Sequence, residues 1–525
     1  MEVKKQILKV CMQKGFLIDK EILDSLLIFD ESFSLILLES LNNLKIKERV
    51  INKNLFLINK ENLIKIFIGL NQINNLDLFF NKIHIIEEKS FIEKNIEKEV
   101  IKRHIKSPIK ILSSTLISPK KLDVQDFVKH FKNRYEQLKN ILLERNLDNL
   151  KAIRRITDER ENQHIIVMII EKRITKNKNL MFEVEDLTGR SRILINNNKP
   201  ELFEKCKDIL PDEVVAFNVI GKKELLFVND AIFPDLLLNE RRKSSEDVNI
   251  VFTSDVHVGS KMFLEENFLK FIKWTNGEEG TDEQKEIAKK IKYLFLVGDN
   301  VDGIGVFPEQ DKLLKIPEMT EQYKKLAEYL KLIRKDITII ISPGQHDAVW
   351  VGEPQPAIGE AWAPDLYKME NINLVTNPCL MELEEGFKVL VYHGASFHGI
   401  VENVPHIRVN NGHNNPTVIL KELLKKRHLA PTHGECDYVP TEGKDSLVID
   451  LVPDIIATGD LHKPEVSMYN NILLVASSCW QSKTPFEEKV GNNPDPCKVP
   501  VFNLKTREIK ILDFSTPEEE VKNAN

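Results

Sequence analysis

Six short apolar runs, NIVFTS, YLFLVG, ITIIISPG, VLVYHG, DIIATG and ILLVAS, lie between residues 248 and 477 and constrain the fold more than any other feature. Each is too short and too rich in Ile and Val for a helix, and longer amphipathic segments separate them. This alternation predicts a layered α/β domain over residues 247–515. The first three and the fifth of these runs end in Gly or Ser followed at once by Asp or Gln, and the fourth carries His393 directly after its apolar residues. Such strand ends are where α/β folds assemble active sites.

In chain order the strand-end motifs are Ser-Asp255-Val-His257, Gly-Asp299-Asn-Val-Asp302-Gly, Pro-Gly-Gln345-His346-Asp347, Tyr-His393-Gly and Gly-Asp460-Leu-His462. Any one of them is ordinary, a capping Asp beside a surface His. Five in succession are hard to attribute to packing. Carboxylates, imidazoles and a carboxamide are the groups that hold two cations about 3.5–4 Å apart for phosphoester cleavage. A separate imidazole then protonates the leaving oxygen or stabilises developing charge.

The 525 residues exceed one ordinary domain, and 42% hydrophobic content suffices for several cores. Helical apolar spacing (Ile7, Val10, Cys11; Ile22, Leu23, Leu26, Leu27) predicts a helical N-terminal domain over 1–80, either a docking module or simple packing. Charged text turning Ser- and Pro-bearing reads as a linker over 81–124. A basic helix follows over 125–152, with Phe127, Phe131, Tyr135, Leu138 and Leu142 on its packing face. Residues 101–155 carry 14 Lys and Arg against 5 Asp and Glu, although the whole chain is at −6. Charge alone leaves a nucleic-acid contact and a solvated face equally open, with Arg134, Arg154 and Arg155 as the candidate DNA contacts. Over 153–240, five strand candidates with a helix after the third predict an OB-fold barrel, more suited to a structural role than to base stacking. Residues 516–525 read as a tail. Six scattered cysteines without a CxxC pair favour neither a zinc ribbon nor disulfides, and fit a reducing cytoplasm. No run of about 18 apolar residues predicts a membrane span.

The motif order resembles that of calcineurin-like metallophosphoesterases, especially the nuclease that trims double-strand breaks. DVHVGSKMF, GDNVDGIGVFP, GQHDAV followed by EPQPAI, RHLAP, LVIDLVPDI and SSCWQSKTPFE…NNPDP resemble, more narrowly, the small subunits of archaeal family D DNA polymerases, over about residues 125–515. The resemblance implies two divalent cations. Asp255, His257, Asp299 and His462 would hold the first, and Asp299 would bridge to a second held by Gln345, His393 and Asp460. His346 would be the catalytic histidine, and Asp302 would support the ligands from behind. His398, His406, His413, His428 and His433 read as loop or surface histidines. The superfamily has Asn at the position of Gln345 and His at that of Asp460. One side chain is longer and the other shorter, and both face the same cation. The exchange adds negative charge and hard oxygen, which favours Mn²⁺ or Mg²⁺ over zinc.

Two function classes follow. In one, the chain is the metal-dependent 3′→5′ exonuclease of a two-subunit replicative polymerase. Its partners would then be a large catalytic subunit, DNA and the sliding clamp. In the other, it is a scaffold whose cation site has decayed.

Overall fold

The structure is a computed structural model. It describes residues 2–27, 29, 31–44, 50–59, 62–63, 66–67, 76, 79–80, 109–114, 121–157, 161–238, 240–441, 443–490 and 492–516. The chain divides into two compact units, Met1–Arg103 and His104–Asn525. In the first, helices span Glu2–Lys14, Lys20–Leu26, Glu31–Asn43 and Lys53–Ile58. The Asp19 and Asn52 side chains accept from backbone N–H groups at two of their starts. Ile7, Leu26, Phe33, Leu37, Phe56 and Phe79 meet in one core, as helical spacing requires. A two-residue parallel pairing, Leu17 with Val50 and Ile18 with Ile51, was not anticipated.

In the second unit, a helix over Val124–Leu143 begins in a capping box between Asp123 and Asp126. Tyr135, Leu138 and Leu142 pack on Ile166, Met168, Val214 and Ala216 of a closed five-stranded barrel. The barrel strands are Gln163–Ile174, Leu180–Asp186, Gly189–Ile195, Val214–Lys222 and Leu225–Ile232, and the helix Pro200–Cys206 follows the third. They close in the order first, second, third, fifth, fourth.

Two six-stranded sheets make up the remainder. The first contains Asn249–Thr253, Ile291–Val297 and Thr338–Ser342 in parallel; the second contains Lys388–Val391, Ile455–Thr458 and Ile472–Ala476, also in parallel. All six apolar runs are therefore strands, shared between two sheets. Alternation along each strand builds the layers. Phe252, Phe295, Val391 and Val475 face the neighbouring sheet. Val251 and Leu296 instead meet the helices Glu265–Thr275 and Met319–Leu330. Ile456 and Leu474 meet Phe397–Asn403 and Pro416–Lys426 on the far side. Lys498–Asn503 and Ile509–Asp513 return to complete the first sheet. The expected tail lies outside the described residues from 517 onward.

Two expectations are corrected. Within the expected linker, Lys110–Ser113 forms an edge strand paired antiparallel with Cys379–Glu382, because its short apolar run completes the second sheet. Residues 81–108 and 115–120 lie outside the described residues. Arg134 is not a DNA contact, since only 1% of it is exposed. Its Nε donates to Asp445 Oδ2 at 2.7 Å and its Nη1 to the Pro431 carbonyl at 2.6 Å. Arg154 and Arg155 are exposed, on a turn whose Ile153 N–H donates to Asp186. The six cysteines are thiols, none joined in a disulfide, and among the described residues no helix is long and apolar enough to cross a membrane.

Asp445 is fully buried, and although burial raises a carboxyl's pKa, Arg134 and His428 hold this one well below its usual value. The stabilisation is therefore complete above the unfolded value of about 3.9 and fades as pH falls toward the folded one. Arg134→Ala leaves that buried carboxylate without its guanidinium, with only His428 and His130 beside it, and is expected to cost about 3–5 kcal/mol. Chemical denaturation at pH 7 measures it; a change below about 1 kcal/mol would place the helix's anchorage elsewhere.

Candidate metal centre

The strand-end motifs converge where the C-terminal ends of the two sheets meet. The first sheet delivers Asp255, His257, Asp299, Asp302, Gln345 and His346, and the second delivers His393, Asp460 and His462. Asp255, His257, Asp299, Asp460 and His462 all have positive φ, from 49 to 71°. Each costs on the order of 1–3 kcal/mol and turns a side chain into the cleft rather than along the strand. Gly298 and Gly344 make room, because a Cβ on either would collide with the His393 ring or the Asp299 carboxylate.

Three imidazoles share one arrangement. The Nδ1–H of His393 donates to the Val297 carbonyl at 2.8 Å. That of His462 donates to Glu487 Oε1 at 2.9 Å, and His257 Nδ1 faces Asp302 Oδ1 at 3.2 Å. With Nδ1 of His393 and His462 engaged and that of His257 turned to a carboxylate, the three Nε2 atoms point inward. His462 Nε2 lies 3.3 Å from Asp255 Oδ1 and 3.4 Å from His257 Nε2. His393 Nε2 lies 3.2 Å from Asp299 Oδ2 and 3.9 Å from Asp255 Oδ1. Lone pairs at these separations repel unless a proton or a cation stands between them.

The electrostatics follow from this crowding. Burial lowers the pKa of His393, yet Asp299 and Asp255 carry it well above the usual imidazole value. Burial likewise opposes the charge on His257, and Asp302 overrides it. Burial would raise Asp299, but His393 and His346 hold it far below the usual carboxyl value. Asp255 Oδ1, Gln345 Oε1, His393 Nε2 and Asp460 Oδ2 are buried without a hydrogen-bond partner. Oxygen and imidazole donors with free lone pairs and no thiolate fit a hard divalent cation such as Mn²⁺ or Mg²⁺.

Donor atoms group compactly as Asp255–His257–His462, Asp255–Asp299–His393 and His257–Asp302–His346. Asp255 is the carboxylate common to the first two, the role the sequence assigned to Asp299. Gln345 and Asp460, the two atypical residues, touch: Gln345 Nε2 donates to Asp460 Oδ1 at 3.3 Å. His346 stands at the rim, its side chain 18% exposed. Its Nδ1–H donates to the Asp302 carbonyl at 2.7 Å, which leaves Nε2 3.9 Å from Asp299.

The family model for the B-type subunits of DNA polymerases alpha and epsilon matches residues 250–467. A DNA polymerase II small subunit of Methanothermobacter thermautotrophicus is 38% identical over 396 residues, 75% of this chain and 80% of that protein. This chain belongs to the DNA polymerase II small subunit family. The DNA polymerase II small subunit of Pyrococcus furiosus is 37% identical over 398 residues, 75% of this chain and 64% of that protein. Among solved structures, an archaeal phosphodiesterase overlays with a TM-score of 0.26 at 12% identity, covering 50% of this chain and 99% of its own.

In this member of the polymerase II small subunit family, several supporting residues escaped sequence reasoning. Glu487 lies beyond the matched span, and in TPFE it reads as half of a helix cap, since its Oε2 accepts from the Thr484 N–H and hydroxyl. Its other oxygen orients His462. Gln481 and Gln310 donate to the two oxygens of Asp302. Glu353 accepts from Tyr392 and Asn377, and Asn377 accepts from the His393 N–H. Burial pushes Glu353 up to about 7. Asp347, already part of the third motif, ties the His346 loop to Asn300 and Tyr323. One of the leftover histidines is corrected: His428 is buried against Asp445 rather than on the surface. His398 is exposed as expected, and its Nε2 lies 3.6 Å from Asp460 Oδ2.

Glu487→Gln removes the charge that sets the His462 tautomer. Mn²⁺ affinity is expected to fall roughly 10–100-fold, as measured by titration calorimetry. An unchanged affinity would reduce Glu487 to a helix cap.

Proposed function

We propose that this chain is the metal-dependent 3′→5′ exonuclease of a two-subunit DNA polymerase, acting on single-stranded or mismatched 3′ ends. The observation that carries the proposal is the set of inward, partnerless donor atoms around Asp255, with His346 at the rim. Direction and substrate come from the family resemblance, since the donor set alone says phosphoester hydrolysis.

Asp255, His257 and His462 would hold one cation. Asp299, His393, Gln345 and Asp460 would hold the other, with Asp255 within reach of both. When bound, such a pair neutralises phosphoryl charge and makes water a stronger acid at neutral pH. The protein's own groups do the rest. Asp302 and Glu487 fix the imidazoles, so the donors need no reorganisation as charge develops. His346, with Nδ1–H anchored on the Asp302 carbonyl, keeps Nε2 directed at the cleft, where the imidazolium form would pass its Nε2 proton to the departing 3′ oxygen and be left neutral. Exposed Arg154 and Arg155 would contact the DNA backbone away from the centre. The barrel, the long helix and the sheets would brace a large polymerase subunit, and the sliding clamp would be a further contact.

The test follows nucleotide release from a 3′-labelled single strand in Mn²⁺, with and without the large subunit. His346→Ala is expected to lower the rate about 10²–10⁴-fold while leaving Mn²⁺ binding in place. Equal rates for wild type and variant would mean the site does not cut and would favour a purely structural subunit.

A further inference from the structure

Beside His346 the cleft continues into a groove of about 530 Å³ that the proposed chemistry does not use. Its walls include the chain from Gln345 to Val351, the tip of the loop at Ile304–Val306 and Trp362. Gln345 and His346 therefore belong to both the metal centre and the groove. A nucleoside attached to a phosphodiester held at the centre can therefore enter the groove directly.

The lining has a definite chemistry. Trp350 and Trp362 supply two indoles, and Ile304, Val306 and Val351 supply aliphatic surface. Trp362, Ile304, Val306 and Val351 are 46%, 52%, 39% and 54% exposed, an unusual concentration of large apolar groups at one opening. Among the described residues no Lys or Arg lines the groove, so it is not built for phosphate. Away from Gln345 and His346, which face the centre, its polar side chains are already engaged. Trp350 Nε1–H donates to the Pro354 carbonyl, and Asp347 accepts from Asn300, Gly344 and Tyr323. An occupant recognised here is therefore flat, uncharged and weakly read along its edges.

We infer that this groove receives the unpaired 3′-terminal nucleobase, stacked on Trp362, and that it selects unpaired ends without reading base identity. The inference rests on the nuclease reading of the centre. A base held in a duplex cannot enter without being unstacked, at a cost smallest for a mismatched or single-stranded end. Stacking on an aromatic face is tolerant of sequence, because every base has a π-face.

The test uses the full chain with single strands ending in each of the four bases or in a base-free tetrahydrofuran nucleotide. Wild type is expected to show similar KM for the four bases and a KM about tenfold higher for the base-free end. Trp362→Ala raises KM about tenfold for the natural ends, leaves kcat unchanged and abolishes the difference from the base-free end; Trp362→Phe restores most of it. In EDTA, where no cleavage occurs, single strands quench tryptophan fluorescence in wild type and less in Trp362→Ala. If His346→Ala is inactive but Trp362→Ala matches wild type in KM and quenching, the groove inference is overturned and the nuclease reading stands. If wild type cuts nothing while quenching still depends on Trp362, the nuclease reading fails and the base site stands.

Discussion

Imidazole and carboxylate donors forced together in a buried pocket are the constraint on which the rest of this structure depends. His257, His393 and His462 each commit Nδ1 outward and crowd Nε2 against the oxygens of Asp255 and Asp299 or against one another. Nothing in folding alone rewards that arrangement. It is held by five residues in left-handed backbone, by glycines where any side chain would collide, and by buried carboxylates and amides behind the ligands. Two sheets are needed because neither alone brings enough strand ends to one point. The helices outside and the apolar layer between the sheets make those ends rigid enough to bear the strain.

The elements most legible in the sequence were those with local causes. The six apolar runs are strands, and each motif stands at the end of the run that precedes it. The five barrel strands and the helix between the third and fourth follow from alternation and Pro200 in the same way. The division into two facing sheets was not legible, because a strand buried on both faces reads the same in either. Arg134 was misjudged because a basic residue on an amphipathic helix looks solvated. Its partner Asp445 is 311 positions away, and only the tertiary fold joins them. Glu487 was hidden because one carboxylate both caps a helix and orients a ligand, and only the cap leaves a local pattern. His398 had no pattern at all, and its place beside Asp460 is set by the first turn of the helix Phe397–Asn403.

The two departures from the superfamily pattern have one joint explanation. Gln345 and Asp460 come from different sheets and touch each other at 3.3 Å, with Gln345 Oε1 and Asp460 Oδ2 left bare. A longer carboxamide and a shorter carboxylate thus meet across the cleft, and under the proposed function they would compensate each other. His398 adds an imidazole on the outer side of Asp460. Under the proposed function, the half of the centre around Gln345 and Asp460 would be oxygen-rich and more negative, which would suit Mn²⁺ or Mg²⁺, while the other half would keep two imidazoles and a carboxylate.

Anomalous diffraction from crystals of the full chain soaked in Mn²⁺ tests this account most directly. It predicts two peaks per chain, one among Asp255, His257 and His462 and one among Asp299, His393, Gln345 and Asp460. A single peak at the first position, with Gln345 still donating to Asp460, would contradict it.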